Sequence, residues 1–271
     1  MEIGKFSGAG NDFIIIDNRK NIVPKNLNNF IIRICKRRLS IGADGLILLE
    51  NSKKAHYKIK YYNCDGSFAN LCLNGTRCAA RFAFMKVIAP KEHKIETDAG
   101  VFGAEVVGRN VKLIFPKTKV KITEMELKGF KCFLVDVGVP HLIIPSEENL
   151  YKIDFLNIAR KLRYSEELKP EGANVSFVSI LEPNIIFMRT YERGIEDEVL
   201  SCSSGAWASI YALNFANYPV ENKIEVANLS GIPLYFEYEK GEKDLKNLKM
   251  EGDARLLFFA KIERESYIWD L

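Results

Sequence analysis

Apolar residues in this chain follow two different periods, and each period predicts a different kind of element. The spacing i, i+3, i+4, i+7, which places side chains on one face of a helix, occurs twice. The helical positions are Leu27, Phe30, Ile31, Ile34 and Cys35 in the first case and Phe155, Ile158, Ala159 and Leu162 in the second. Alternating or short apolar runs predict strands over residues 46–49, 57–62, 101–107, 111–115 and 175–180.

Two further helices are predicted directly after two C-x-x-G segments. They cover Gly75 to Met85 and Gly205 to Phe215. The second is apolar on nearly every face, which is typical of a helix that is surrounded by other elements. A strand-rich unit with one enclosed helix predicts a sheet that curls around that helix.

The chain also repeats itself once, at a separation of 129 or 130 residues. Each pair matches a glycine turn, a strand or a cysteine in the first half of the chain with a similar segment in the second half. The pairs are Gly8 with Gly138, Gly42-Ala43-Asp44 with Gly172-Ala173-Asn174, Tyr61 with Tyr191, Cys72 with Cys202, and Lys94-Ile95-Glu96 with Lys223-Ile224-Glu225. Five matches in nearly constant register predict two copies of one α/β unit.

The repeat sets the predicted domain organisation. We expect an N-terminal α/β unit over residues 1–116 and a C-terminal α/β unit over residues 117–259, joined near Phe115 to Thr118. The segment from about residue 260 to 271 is a candidate to pack on the first unit. The fold class is therefore α/β, with two pseudo-symmetric domains and a cleft between them that would hold the active site.

Composition and charge exclude several classes of protein. The chain has 271 residues, of which 47% are hydrophobic, so it has ample material for a core and is not disordered. A net charge of +4 is too small to indicate nucleic acid as a partner. No apolar run is long enough for a membrane span, and the N-terminus does not resemble a signal peptide. We therefore expect a cytoplasmic protein whose six cysteines are thiols.

Only two of the cysteines obey the repeat. Cys72 and Cys202 each stand just before a buried helix, where unpaired backbone N–H groups favour a thiolate and can bind an anion. Two such thiols on opposite sides of a cleft could invert a stereocentre, one removing the Cα proton and the other returning one. Backbone donors at the helix ends would stabilise charge on the substrate carboxylate. This scheme needs no cofactor, and no phosphate-binding motif is present.

Other interpretations of the same residues remain open. Cys35, Cys78 and Cys132 are interpreted as small buried hydrophobes, and Cys64 as structural. With only three histidines and unsuitable cysteine spacing, no metal site is predicted. A cysteine hydrolase that pairs one cysteine with His141 is a second class of function. A non-catalytic module that binds an amino acid is a third.

Several motifs resemble those of the diaminopimelate epimerase family, the cofactor-independent two-cysteine amino-acid racemases and epimerases. The resemblance covers nearly the whole chain. Its motifs are Gly10-Asn11-Asp12-Phe13, Gly42-Ala43-Asp44-Gly45-Leu46, Tyr62-Asn63-Cys64-Asp65-Gly66-Ser67, Cys72-Leu73-Asn74-Gly75-Thr76-Arg77-Cys78, and Glu192-Arg193-Gly194 with Cys202. It implies two α/β domains, each a curled, mostly antiparallel sheet around a central helix.

The resemblance also implies roles for individual residues. Cys72 and Cys202 match the acid–base positions. The positions that it assigns to substrate binding are Asn11, Asn63, Leu73, Asn74, Gly75, His141, Asn174, Glu192, Arg193, Ser203 and Ser204. Among these, backbone N–H groups around Leu73, Asn74, Ser203 and Ser204 would bind the reacting carboxylate. The expected partner is a free amino acid, and a homodimer is compatible with the sequence.

The chain departs from the family pattern around substrate recognition. Leu73 stands where the diaminopimelate enzymes have glycine, and Val139 stands where they have asparagine before proline-histidine. Glu196-Asp197-Glu198 replaces a glycine-glutamate-threonine stretch, and Cys202-Ser203-Ser204-Gly205 replaces cysteine-glycine-threonine-glycine. When such a site loses a polar side chain, it discriminates less strongly in favour of substrates that carry a second amino-acid head group. Our sequence-based expectation is therefore a histidine racemase, with diaminopimelate epimerase as the alternative.

Overall fold

The chain forms two compact units. A computed structural model describes residues 1–117, 120–170, 172–241 and 244–268. The first unit comprises Met1–Pro116 and Glu251–Leu271, and the second comprises Lys117–Met250. Each unit has its own central helix.

The sheet of the first unit is mixed but mostly antiparallel. Its strands are β1 (Glu2–Gly8), β2 (Asn11–Asp17), β3 (Gly45–Glu50), β4 (Tyr57–Asn63), β5 (Phe68–Ala69), β6 (Glu92–Thr97), β7 (Gly100–Val107) and β8 (Asn110–Ile114). Strands β2 and β3 pair in parallel, as do β4 and β6, and the pairs β1–β2, β3–β4, β6–β7 and β7–β8 are antiparallel. The short β5 pairs with β4.

Two helices complete the first unit. Helix α1 (Leu27–Ile34) buries Phe30, Ile31 and Ile34 against the apolar residues of β2 and β3. Helix α2 (Leu73–Met85) packs against β1, β2, β7 and β8, and ten of its residues are buried. A helix that is covered on this many sides is the centre of a curled sheet.

The second unit has the same kind of mixed sheet. Its strands are β9 (Lys121–Leu127), β10 (Phe130–Asp136), β11 (Pro140–Pro145), β12 (Asn174–Glu182), β13 (Ile185–Glu192), β14 (Asp197–Val199), β15 (Lys223–Ala227) and β16 (Leu234–Lys240). Strands β11 and β12 pair in parallel, as do β13 and β15. The pairs β9–β10, β10–β11, β12–β13, β13–β14 and β15–β16 are antiparallel.

The helices of the second unit follow the same plan. Helix α3 (Phe155–Arg163) buries Phe155, Ala159 and Leu162 in a core cluster with residues of β11, β12 and β13. Helix α4 (Ser203–Phe215) packs against β9, β10, β11 and β12. Short 3₁₀ turns lie at Glu166–Leu168 in this unit and at Arg264–Ser266 in the first.

The two units share one topology. In each unit, the amphipathic helix lies in the sequence between two strands that pair in parallel. The central helix lies in the sequence between two other strands that also pair in parallel. The predicted fold class is confirmed: both units are α/β, with mostly antiparallel sheets around one buried helix. The predicted helices and strands also lie within two residues of the observed bounds.

The C-terminal boundary differs from the sequence-based one. The sequence repeat places residues 251–259 in the second unit, but the structure places Glu251 onward in the first. The reason is strand pairing: β17 (Leu245–Asp253) leads into β18 (Arg255–Lys261), and β18 is antiparallel to β1. Thr118, at the expected junction, and residues 269–271, in the expected C-terminal segment, lie outside the described residues.

Candidate functional site

Cys72 is the N-cap residue of α2. Its backbone is extended, with φ −136° and ψ 105°, and its sulfur accepts the N–H of Gly75 at 3.4 Å. The carbonyl of Cys72 accepts the N–H of Thr76 at 2.8 Å, which starts the helical hydrogen bonds. The thiol therefore lies at the positive end of a buried helix, where a thiolate is stabilised.

Cys202 occupies the same position in the second unit. It is the N-cap residue of α4, with φ −126° and ψ 100°, and its carbonyl accepts the N–H of Ala206 at 2.9 Å. Its sulfur lies 3.4 Å from the hydroxyl of Ser204. Both cysteines thus have nearly the same backbone conformation, but different groups approach the two sulfur atoms.

The glycine of each C-x-x-G segment allows close packing of the helix start. A Cβ at Gly75 would lie 2.9 Å from Ile47 Cδ1. A Cβ at Gly205 would lie 3.1 Å from Met188 Cε and 3.2 Å from Ser176 Oγ. A side chain at either position would press on these neighbours, so glycine lets the side chains of the sheet pack closely against the first turn. The first turns of α2 and α4 are therefore held against the sheet in each unit.

In the first unit, a chain of amides connects α2 to β2. Asn74 Nδ2 donates to Asn11 Oδ1 at 2.5 Å, and Asn11 Nδ2 donates to Asp44 Oδ2 at 3.3 Å. The guanidinium of Arg77, which is fully buried, donates to Asn74 Oδ1 at 2.7 Å. Both amide groups are therefore fixed by the protein.

Asp44, which ends this series of hydrogen bonds, also belongs to a cluster of charged side chains. Arg37 donates to Asp44 Oδ1 at 2.8 Å and also binds Asp12. Lys5, which is 5% exposed, pairs with Asp12 Oδ2 at 2.7 Å. Burial acts to raise the pKa of Asp12, but hydrogen bonds and charge from Arg37 and Lys5 hold it below its usual value.

In the second unit, a corresponding chain reaches a cysteine. Ser204 Oγ lies 3.1 Å from His141 Nε2, and Asn174 Nδ2 lies 3.4 Å from the same nitrogen. Asn174 Oδ1 accepts the backbone N–H of Arg193 at 2.8 Å. Because Ser204 also contacts Cys202, the chain runs from Arg193 to the sulfur.

His141 is completely buried and uncharged. Burial lowers its pKa to about 3, and the positive charge of Arg193 acts in the same direction. A base this weak has little tendency to take a proton from a thiol near neutral pH. The hydrolase interpretation, which needs His141 as a general base, therefore loses support.

The two series of hydrogen-bonded side chains, one in each unit, occupy equivalent positions of the repeat. Their members are separated by 130 residues, and the pairs are Asn11 with His141, Asp44 with Asn174, and Asn74 with Ser204. Asp44 was not among the residues predicted for the site. The signal for it was present, because the repeat aligns Asp44 with Asn174, which was predicted.

The other predicted residues lie at the ends of strands or at the starts of helices. Asn63 is the last residue of β4, and its Nδ2 donates to Ser67 Oγ at 2.9 Å within the following turn. Glu192 is the last residue of β13, and Arg193 follows it. Leu73 and Ser203 begin α2 and α4, and the side chain of Leu73 is 2% exposed.

Three cysteines outside the repeat are buried thiols. Burial raises the pKa of Cys35 to about 12 and that of Cys132 to about 11, and it raises the pKa of Cys78 as well. Cys64 is exposed, and its pKa is also raised, first of all by partial burial of its sulfur. A raised pKa keeps a thiol protonated and unreactive.

Two kinds of feature are absent from the described part of the chain. It contains no group of three or more histidine, cysteine, aspartate or glutamate side chains arranged to hold a metal ion. None of its helices is both long enough and apolar enough to cross a membrane.

The chain is similar to proteins named diaminopimelate epimerase. The sequence model of the family with that description matches residues 4–123. A diaminopimelate epimerase from Hydrogenobaculum sp. (strain Y04AAS1) is 39% identical, over 98% of this chain and 100% of that protein. One from Aquifex aeolicus (strain VF5) is 34% identical, over 98% of this chain and 99% of that protein.

A solved structure supports the fold. The crystal structure of a probable proline racemase from Agrobacterium radiobacter K84 matches with a TM-score of 0.71, over 100% of this chain and 96% of that chain. The sequence identity is 12%, so the likeness concerns the fold alone.

Proposed function

This chain belongs to the diaminopimelate epimerase family and is an isomerase of the racemase and epimerase class, and from that premise we propose that it interconverts LL- and meso-diaminopimelate without a cofactor. The proposed bases are the thiols of Cys72 and Cys202. One observation carries the proposal: in two units of the same topology, a cysteine occupies the N-cap of the buried helix with nearly the same backbone angles.

The proposed reaction uses one thiolate and one thiol. The thiolate removes the Cα proton from one face, so an S–H bond forms while the electron pair of the broken C–H bond spreads into the substrate carboxylate. The thiol of the other cysteine then gives its proton to the opposite face, which forms the new C–H bond and leaves a thiolate. The enzyme ends with the two protonation states exchanged, ready for the reverse reaction.

The helix ends are proposed to stabilise the developing charge. The first-turn N–H groups of Leu73 and Asn74 in α2, and of Ser203 and Ser204 in α4, lie before the internal hydrogen bonds of each helix begin. Donors fixed in this way interact most strongly with the carboxylate when it carries the extra charge of the carbanion.

The relatives favour diaminopimelate over histidine as the substrate. The proteins with 39% and 34% identity are both named diaminopimelate epimerase. Two departures that favoured histidine also have structural accounts within this chain. The Leu73 side chain is buried, and the Glu196 carboxylate binds other protein groups. Nothing in the structure explains Val139.

The test is incubation in D₂O with a panel of single-enantiomer substrates: LL-diaminopimelate, L-histidine and L-lysine. We expect deuterium at Cα, together with inversion, for LL-diaminopimelate only. The readouts are mass spectrometry and chiral chromatography. Exchange with histidine and none with diaminopimelate would restore the histidine hypothesis, and tight binding without exchange would favour a binding module.

Single serine variants test the two bases. C72S and C202S should each lower the rate of inversion by about 100-fold or more, because a hydroxyl is a far weaker acid than a thiol. Each variant should still exchange the Cα proton of the one stereoisomer whose proton the remaining cysteine removes. C64S, an exposed cysteine outside the repeat, is the control. Full inversion by both site variants would disprove the mechanism.

A further inference from the structure

Glu196 has an unusual backbone conformation for its residue type. Its φ is +57°, in the left-handed region that favours glycine. It is also the position at which this chain departs from the glycine of the family pattern. A glutamate in such a conformation needs interactions that hold it there.

Three groups bind the Glu196 carboxylate. Arg163 Nη2 donates to Oε1 at 3.0 Å, and the backbone N–H of Gly194 donates to the same oxygen at 3.0 Å. The hydroxyl of Tyr164 donates to Oε2 at 2.8 Å. Burial acts to raise the pKa of Glu196, but these donors together hold it below its usual value, so the carboxylate is charged.

The backbone of Glu196 closes the segment that precedes it. Its N–H donates to the carbonyl of Glu192 at 2.8 Å, and its own carbonyl accepts the hydroxyl of Tyr191 at 2.7 Å. Residues 192–196, which we call the 192–196 loop, are therefore held by backbone hydrogen bonds at both ends and by the hydrogen bonds of the Glu196 side chain.

Arg163 is fixed from a second direction. Its side chain is 13% exposed, and a Cβ at Gly172 would overlap with its Nη1. The guanidinium therefore lies directly on the backbone of Gly172. The carbonyl of Gly172 in turn accepts Arg193 Nη1 at 3.5 Å. Arg163 contacts the 192–196 loop through Glu196, and Gly172 contacts it through Arg193.

The loop carries two residues of the proposed site. Glu192 and Arg193 match the family positions for substrate binding, and the N–H of Arg193 donates to Asn174, which contacts His141. A shift of the loop would therefore first of all move the Arg193 side chain, which the loop carries.

We propose that Glu196 is a positioning residue, which together with Arg163 fixes the 192–196 loop so that Arg193 can hold the polar group at the far end of the substrate. The proposal rests on the proposed function, because it takes diaminopimelate as the ligand. It assigns to Glu196 an effect on substrate affinity, not on the chemistry at Cα.

Two variants of Glu196 test this role. E196Q keeps the shape of the side chain and removes its charge. E196G removes the carboxylate but also relieves the left-handed backbone, which offsets part of the stability that is lost with the hydrogen bonds. Both should raise the KM for LL-diaminopimelate by about tenfold and leave kcat within about threefold. The control is E198Q: Glu198 lies on the adjacent strand, and its carboxylate binds Arg189 at 2.6 and 2.7 Å.

Each result decides the proposal. A raised KM in both variants, with E198Q unchanged, supports it. An unchanged KM in E196G, or an equal fall in kcat and kcat/KM, overturns it. If the wild type does not exchange the Cα proton of diaminopimelate, the proposed function fails. Hydrogen–deuterium exchange of the Gly194 amide then tests separately whether Glu196 fixes the 192–196 loop. Faster exchange in E196Q than in the wild type supports the anchoring, and equal exchange overturns it.

Discussion

At the scale of the residue, hydrogen-bond direction fixes the state of His141. The amide of Asn174 is oriented because its Oδ1 accepts the N–H of Arg193, so its NH₂ group faces His141 Nε2. Nε2 is therefore an acceptor, and Nδ1 carries the proton. Nδ1 is buried and has no hydrogen-bond partner among the described residues. This ring accepts hydrogen bonds through Nε2 and does not provide a charge.

Ser204 connects this ring to Cys202, which leads to a prediction about the thiol. The hydroxyl can donate to His141 Nε2 when Cys202 is a thiol and to the sulfur when it is a thiolate. S204A removes a donor to the charged form, so the pKa of Cys202 should rise. The measurement is the pH dependence of iodoacetamide alkylation of the Cys202 peptide.

The control variants for Ser204 lie in the same helix. S204T keeps a hydroxyl and should behave like the wild type. S209A removes a hydroxyl that donates to the Gly205 carbonyl at 2.7 Å and should not affect Cys202. An unchanged alkylation profile in S204A would show that the hydroxyl does not act on the sulfur.

At the scale of the element, α2 is attached to β2 by polar groups as well as by packing. Asn74, in the first turn, accepts from the buried Arg77 and donates to Asn11 at the start of β2. A buried donor that loses its acceptor costs more than the hydrogen bond itself contributed. The amide chain is therefore part of what holds the Cys72 helix end in place.

We predict that N74A destabilises the protein by about 2 kcal/mol, because the substitution leaves groups of Arg77 and Asn11 without that partner. The free energy of unfolding can be measured by urea denaturation. N51A is the control: Asn51 is exposed, and its side chain donates to the Arg19 carbonyl at 2.9 Å, so we expect a change below about 0.5 kcal/mol. Equal effects of the two variants would contradict this role for Asn74.

At the scale of the whole molecule, each unit contains one buried neutral histidine. Burial lowers the pKa of His93 in the first unit and that of His141 in the second, the latter to about 3. Tyr57 and the Pro90 carbonyl bind the His93 ring, and neither is an acidic partner. Protonation of either ring is therefore less favourable in the folded chain than in the unfolded chain.

The sign of the resulting pH dependence follows from linkage. The unfolded state binds more protons below about pH 6.5, so stability is full above that pH and falls as the pH drops towards the folded-state values. Each histidine should contribute a slope of up to about 1.4 kcal/mol per pH unit in this range. Urea denaturation at several pH values between about 7 and 5 measures the slope.

Histidine variants separate the two contributions. H93N and H141N should each be less stable than the wild type at pH 7 but should show a smaller slope below about pH 6.5. H56Q, which changes an exposed histidine, should keep the wild-type slope. A wild-type slope in both buried-histidine variants would assign the pH dependence to other groups.

Much of the architecture could be predicted because its signals are local. The periodicity of α1 and α3, the glycines after Cys72 and Cys202, and the turns that begin β2 and β11 are each encoded within about ten residues. The 130-residue repeat then indicated two units of one topology, and the strand pairings show it. The same repeat pointed to Cys72 and Cys202 among six cysteines.

The partners of the site residues could be decided only in three dimensions. Asn11 and Asp44 are 33 residues apart, Asn11 and Asn74 are 63 apart, and strand β18 reaches β1 from the other end of the chain. No pattern within a short window specifies such contacts, because packing determines which distant groups come within hydrogen-bond distance. Glu196 shows the same limit: the sequence presented it as a lost glycine, and the fold shows a carboxylate bound by Arg163 and Gly194.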